Sequence, residues 1–283
     1  QTPSNPFNEL FGQKSNDKVS LQTLKENLTK AQTHDNISGV WLEVDMMSES
    51  WANLQEAHRM LSAFRDSTDK FVYASTNDIG FNEKGYYLAT AADSIFAPPE
   101  SFFEFDGFYS QVTFYDGAFE KLGVEAEVIR QGKYKGAVEP FYRKELSEEN
   151  AYQLNQILSG VNTNFTNTVS AQTGRSVEDL DSLMNSQPNL TTHFGYENGL
   201  IDSLMYADEV EAHIKKQVGV AEDEDLETVS NGRYAKVSAS SAGVSTSSGS
   251  DKIAVIYANG PIMPDMGSSQ FSNQPTISAS FIE

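Results

Sequence analysis

The stretch Gln131-Gly132-Lys133-Tyr134-Lys135-Gly136-Ala137-Val138-Glu139-Pro140-Phe141 concentrates more chemical potential than any other part of this chain. A lysine amine accepts a proton only when it is neutral. With an ordinary pKa of about 10.4, only about one lysine in 2,500 is neutral at pH 7. Burial lowers that pKa, at a cost of about 1.4 kcal/mol per unit that packing must supply. Lys135 has Tyr134, Ala137, Val138 and Phe141 as apolar neighbours able to strip water from its ammonium group. Two readings stand on local sequence: a desolvated general base or, as is commoner for a lysine in a glycine-containing loop, a solvated side chain. Gly132 permits a turn, Pro140 is expected to keep Glu139 extended, and Glu139 is read as structural.

Other chemistries find little support. His34, His58, His193 and His213 are far apart, none pairs with another at i+3 or i+4, and the chain contains no cysteine. No metal ligand set is therefore expected. The acidic run from Glu222 to Asp225 reads as a solvated charge cluster. No GxGxxG, P-loop or GxSxG pattern occurs, so no cofactor is expected. Asp and Glu number 40 against 20 Lys and Arg, a formal net charge of −20 that repels nucleic acid and anionic lipid surfaces. No run approaches the roughly 20 apolar residues of a spanning helix.

The elements that would position Lys135 follow from periodicity. Leu21, Leu24, Leu28 and Ala31 predict a helix, and residues 37–44 a buried strand. A second helix is expected over 49–64, with Leu54, Ala57, Leu61 and Phe64 on its apolar face. Strand signals recur at 71–74 and 94–97, separated by a helix over 85–92. Residues 102–108 read as extended, 114–122 as helical and 124–129 as the strand leading into the Lys135 segment. Ser147 is a natural N-cap for the longest helix, which Glu148 and Glu149 open and Gly174 closes. A shorter helix follows over 177–184. Such alternation predicts an α/β fold with helical crossovers.

The composition changes after residue 220. An acidic cluster and a Ser/Gly-rich stretch over 221–250 have the character of a linker, and 252–258 is a fresh strand signal ending at Asn259-Gly260-Pro261. A helix is expected to begin within 276–283. We expect a first domain over 1–220, the linker over 221–250 and the truncated start of a second domain over 251–283.

Tyr134-Lys135-Gly136-Ala137-Val138-Glu139-Pro140-Phe141 closely resembles the signature around the catalytic lysine of signal peptide peptidase A (protease IV), long bacterial form, of peptidase family S49. The resemblance is collinear over nearly the whole chain. It includes Asn36-Ile37-Ser38-Gly39-Val40, Lys70-Phe71-Val72-Tyr73-Ala74, Gly85-Tyr86-Tyr87-Leu88-Ala89 and Ala254-Val255-Ile256-Tyr257-Ala258-Asn259-Gly260.

The resemblance implies a ClpP/crotonase-like fold of repeated β-β-α units, here the first copy of a duplicated architecture. It implies an endopeptidase that degrades cleaved signal peptides and other extended apolar peptides. Such a protein assembles as a homo-oligomer, is held at the bacterial inner membrane by an anchor absent from this chain, and faces the periplasm. The family takes its general-base lysine from the first half and its nucleophilic serine from the second. Lys135 matches that lysine, whereas Lys133 does not. The place corresponding to the serine motif is Asn82-Glu83-Lys84-Gly85, with Glu83 where a nucleophile would stand, and Val44-Asp45-Met46-Met47-Ser48 lacks the glycine of an oxyanion turn. Nothing marks Ser268 or Ser269 as activated. The chain is thus expected to be a fragment that supplies one catalytic residue and is inactive alone. Two other readings are a crotonase-like acyl-CoA enzyme, whose glycine-rich oxyanion donors and carboxylate base are not evident, and a non-catalytic paralogue that binds or scaffolds peptides.

Overall fold

Ser20 caps helix α1 (Leu21–Thr33) by accepting from the Thr23 amide, and Ser50 caps α2 (Trp51–Ser67) through Asn53 in the same way. In α2 the buried residues are Leu54, Ala57, Leu61 and Phe64, the face expected from their spacing. These observations come from a computed structural model that describes residues 20–77, 79–186 and 191–245. The chain divides into two compact units, Gln1–Val244 and Ser245–Glu283. The strand expected at 252–258 and the helix expected within 276–283 lie outside the described residues.

The architecture is mixed α/β around a parallel sheet. Strands β1 (Gly39–Glu43), β2 (Phe71–Ser75), β4 (Ser94–Ala97) and β6 (Ser203–Leu204) lie in the order β1-β2-β4-β6, every pair parallel. A smaller parallel pair is formed by β3 (Gly80–Phe81) and β5 (Phe102–Phe103), which register as Gly80 with Phe102 and Phe81 with Phe103. The chain thus passes from β2 to β3 to helix α3 (Glu83–Ala89), and from β4 to β5 to helix α4 (Asp116–Leu122).

Side chains alternate across the large sheet. Val72, Ala74, Ile95 and Ala97 join the main core with α2 and α3, while Tyr73 and Phe96 face Val210 and Ile214 of α8 (Ala207–Val218) on the other side. Aspartates set the register: Asp93 accepts from the Val72 amide and Asp202 from the Ile95 amide, each at 2.7 Å. At the centre of the main core, Tyr86, Phe103, Phe105 and Phe165 meet mostly edge to face, and the Tyr86 hydroxyl donates to the Leu200 carbonyl. Phe165 comes from the longest helix, α5 (Glu148–Thr173), which packs against α6 (Val177–Met184). Helix α7 (Thr192–Glu197) leads into β6. Among the described residues, no helix is long and apolar enough to cross a membrane.

Two expectations are corrected here. Residues 124–129 form no strand, and Val124 and Ile129 are exposed. A strand is held by its ladder partner, and no neighbouring strand among the described residues offers one. Part of the stretch with linker composition is packed rather than free. Helix α9 (Asn231–Tyr234) lies on α1, with Tyr234 and Ala242 buried. The buried Lys30 ammonium donates to the Tyr234 and Val237 carbonyls, both at 3.0 Å, and Thr33 Oγ1 donates to Ala242 O at 2.7 Å. A few well-placed contacts outweigh a composition that by itself favours solvent.

Candidate active-site lysine

Lys135 is carried on an irregular segment between α4 and α5, so its position depends on how that segment is tied down. The tie is Glu139, which is fully buried and whose carboxylate accepts from the Ser147 amide, the Ser147 hydroxyl and Asn150 Nδ2. Ser147 is also the N-cap of α5, accepting from the Asn150 amide. Burial pushes the Glu139 carboxyl up, but the hydrogen bonds from Ser147 and Asn150, with Arg143 nearby, prevail and hold it below its ordinary value.

Glu139 does not stay extended before Pro140. It opens a 3-10 turn, Glu139–Phe141, and its carbonyl accepts from the Tyr142 and Arg143 amides. The preference of a residue before proline is overridden because both ends of Glu139 are bonded. Phe141 stacks against Tyr115 and Phe119, joining this turn to α4, and the Tyr115 amide donates to the Pro140 carbonyl. Gly136 meets α5 directly: a Cβ there would lie 2.5 Å from Asn150 Nδ2. Gly132 has φ +96°, which supplies the expected turn.

Lys135 itself is exposed, lining an open concavity of about 650 Å³ with Ile129, Arg130, Gln131, Tyr134, Gly136, Ala137 and Val138. Among the described residues, the neighbours expected to cover Lys135 leave it exposed. Tyr134 is 58% exposed and Phe141 turns to its aromatic stack. Among the described residues Lys135 has no ion-pair partner, whereas Lys133 Nζ lies 4.0 Å from Glu149 Oε1 at the surface.

Asn82-Glu83-Lys84-Gly85, the stretch expected to correspond to the serine motif, is tied down by Asn82. Asn82 pairs with both polar groups of Met47: Met47 N donates to Asn82 Oδ1 at 3.0 Å and Asn82 Nδ2 donates to Met47 O at 2.8 Å. Asn82 Oδ1 also accepts from Gly85 N as the cap of α3. The Met47 amide is therefore already engaged and is not a free oxyanion donor. Glu83, next in sequence, is buried beside Glu104 and Asp106. Burial, and then the Glu104 carboxyl beside it, push its carboxyl up to about 8. Sequence reasoning missed this grouping because the partners lie on different elements. The alternation of Phe103 and Phe105 with Glu104 and Asp106 was its only local signal.

Residues 65–221, more than half of the chain, match the model of peptidase family S49. The chain is 36% identical over 247 residues to the chloroplastic serine protease SPPA of Arabidopsis thaliana, covering 87% of this chain and 36% of that protein. It is 28% identical over 267 residues to protease 4 of Salmonella typhi, covering 90% of this chain and 41% of that protein. It thus spans about two fifths of the length of these relatives. With that match laid over the Lys135 segment, the chain belongs to peptidase family S49 and is of the signal peptide peptidase A type.

Proposed function

We propose that this chain is the lysine-bearing part of a Ser/Lys endopeptidase that degrades cleaved signal peptides, with Lys135 as the general base. The observation that carries the reading is the mount of Lys135: an exposed amine in an open concavity, on an irregular segment anchored by buried Glu139. An amine presented in this way serves a partner brought from elsewhere in the protein. The engaged Met47 amide and the carboxylate at position 83 support assigning the serine and the oxyanion donors to a part beyond the described residues.

In that reading, neutral Lys135 takes the proton of the serine hydroxyl as its oxygen attacks the scissile carbonyl. Backbone amides stabilise the tetrahedral oxyanion, and Lys135 then returns the proton to the leaving amine. An ammonium group cannot accept a proton, so the part that brings the serine must also cover Lys135 and exclude water. Exposed Leu122, Val124, Ile129 and Tyr134 offer apolar surface for such a cover, for a second copy in a homo-oligomer, or for an extended apolar peptide. The passages β2-β3-α3 and β4-β5-α4 support a ClpP/crotonase-like fold of repeated β-β-α units. The proposed setting is the periplasmic face of the bacterial inner membrane, with a second domain that begins at residue 251.

The test is cleavage of a fluorogenic apolar peptide by the full-length protein, comparing wild type, Lys135→Ala and Lys133→Ala, with circular dichroism as the folding control. Lys135→Ala is expected to lose about 10²- to 10⁴-fold in kcat. Lys133→Ala should stay within about threefold, because an exposed ion pair contributes little. Equal activity in all three would remove Lys135 from the mechanism. No activity in the wild type would favour a non-catalytic peptide-binding paralogue.

A further inference from the structure

Glu83, Glu104 and Asp106 come together from two separate stretches of chain, and each places a carboxylate oxygen within 4.8 Å of the others. Glu83 opens α3, while Glu104 and Asp106 follow β5 on the face opposite Phe103 and Phe105, both fully buried. The Glu104 amide donates to the Phe81 carbonyl, which fixes this extended stretch against β3. The three differ in exposure: Glu83 is only 6% exposed, Glu104 is half-buried and Asp106 is exposed.

Two independent features separate this group from an ordinary acidic surface. Glu83 Oε1 is buried with no hydrogen-bond partner. The charges acting on Glu83 are those of Glu104 and Asp106, both negative; a backbone hydrogen bond at Glu83 favours its charged form, but among the described residues no lysine or arginine charge offsets them. A buried carboxylate with an orphaned oxygen and two anionic side chains beside it is costly unless a proton or a cation occupies the space between them.

We propose that Glu83, Glu104 and Asp106 hold a hard divalent cation, Ca²⁺ in preference to Mg²⁺. Oxygens bound to one Ca²⁺ at about 2.3–2.6 Å lie at most about 5 Å apart, which matches this cluster. All three donors are carboxylate oxygens, the ligand set of hard cations rather than of zinc or copper. The irregular arrangement and the open side at Asp106 suit the variable coordination of Ca²⁺, completed by water, better than the strict octahedron of Mg²⁺. The ion would join α3 to the stretch after β5, two segments that also meet through the Trp51 ring, which packs against both Tyr87 of α3 and Phe108.

The probe is Tb³⁺, a luminescent Ca²⁺ substitute excited through the nearby aromatic rings, titrated into the full chain and competed with Ca²⁺ and Mg²⁺. Thermal unfolding is recorded in parallel with and without Ca²⁺. The expected result is saturable emission from one site, displaced by Ca²⁺ at about 0.1–1 mM and less readily by Mg²⁺. Ca²⁺ should raise the Tm of the wild type. Glu83→Gln should weaken Tb³⁺ binding at least tenfold and abolish the Ca²⁺-dependent rise. Asp106→Asn, at an exposed position that leaves packing intact, should weaken binding without altering the Tm of the ion-free protein. Unsaturable emission, or a Tm indifferent to Ca²⁺, would overturn the proposal in favour of a proton shared by Glu83 and Glu104. Saturable emission unchanged in both variants would overturn it by placing the ion elsewhere, with the acidic run from Glu222 to Asp225 the next place to look.

Discussion

Glu139 and Ser147 are joined twice, since both the amide and the hydroxyl of Ser147 donate to one buried carboxylate. That double bond pattern fastens the Lys135 segment to the first turn of α5, where the positive end of the helix also favours a carboxylate. Removing the carboxylate charge should therefore loosen the lysine as well as the fold. Glu139→Gln is expected to cost about 2 kcal/mol, a fall in Tm of about 4–8 °C. In the full-length protein, kcat should fall with KM nearly unchanged. Differential scanning calorimetry and peptide cleavage test the two parts, and an unchanged Tm would show that Glu139 is not the anchor.

Gly136 is required by space rather than by backbone angle, because its missing Cβ is what lets Asn150 approach. Gly136→Ala should cost about 1–3 kcal/mol through overpacking. Shortening Asn150 makes room, so Gly136→Ala with Asn150→Ala should be less destabilised than the sum of the single variants. A double-mutant cycle by urea denaturation measures the coupling, and strict additivity would refute the contact.

His58 predicts how stability responds to mild acid. Burial, and then the charge of Arg65, lower its pKa from 6.5 to about 4, while Thr90 Oγ1 lies 3.1 Å from its Nε2. In the unfolded chain the imidazole gains its proton near pH 6.5, but in the folded chain only near 4. Through this residue the unfolded state binds more protons between these values, so the contribution of His58 falls as pH drops from about 6.5 to 4, whereas Glu83, held up to about 8, works in the opposite direction above 4.5. The loss from this residue is at most about 3 kcal/mol. His58→Gln should therefore lose less stability than the wild type as pH falls through that window, and the difference between their urea midpoints from pH 8 to pH 4 decides the matter.

Glu139 acts in a lower window. Its pKa is held below the ordinary 4.5, so its contribution is present above that value and disappears as pH falls through the lower, folded-state value. With His58→Gln as background, the remaining acid loss should therefore begin below about pH 4.5 and shrink further on adding Glu139→Gln. Acid titrations followed by near-ultraviolet circular dichroism separate the two phases.

Lys30 holds the chain after residue 230 against α1 by donating to carbonyls of that stretch. Lys30→Met keeps the apolar stem but leaves buried carbonyls unpaired, at a cost of about 2–3 kcal/mol. Limited proteolysis should then cut within 230–245 at least tenfold faster than in the wild type. An unchanged cleavage rate would mean that Tyr234 and Ala242 suffice to hold this stretch.

Local signals were enough to read most of the framework. The apolar face of α2, Ser147 and Gly174 at the ends of α5, and the bounds of β4 and α6 all follow from spacing and capping, which act within a few residues. The Lys135 motif was legible in the same way, and with it the family. What depended on partners distant in sequence was not. Residues 124–129 alternate like a strand but find no ladder partner among the described residues, β3 is too short to announce itself, and β5 occupies only the start of the stretch read as extended over 102–108. The water around Lys135 is set by what packs over it, not by its neighbours along the chain. The grouping of Glu83 with Glu104 and Asp106 exists only because β3 and β5 pair and bring the start of α3 beside the stretch after β5. Periodicity and caps are properties of neighbouring residues, whereas desolvation and charge clustering are properties of space, and folding alone supplies the space.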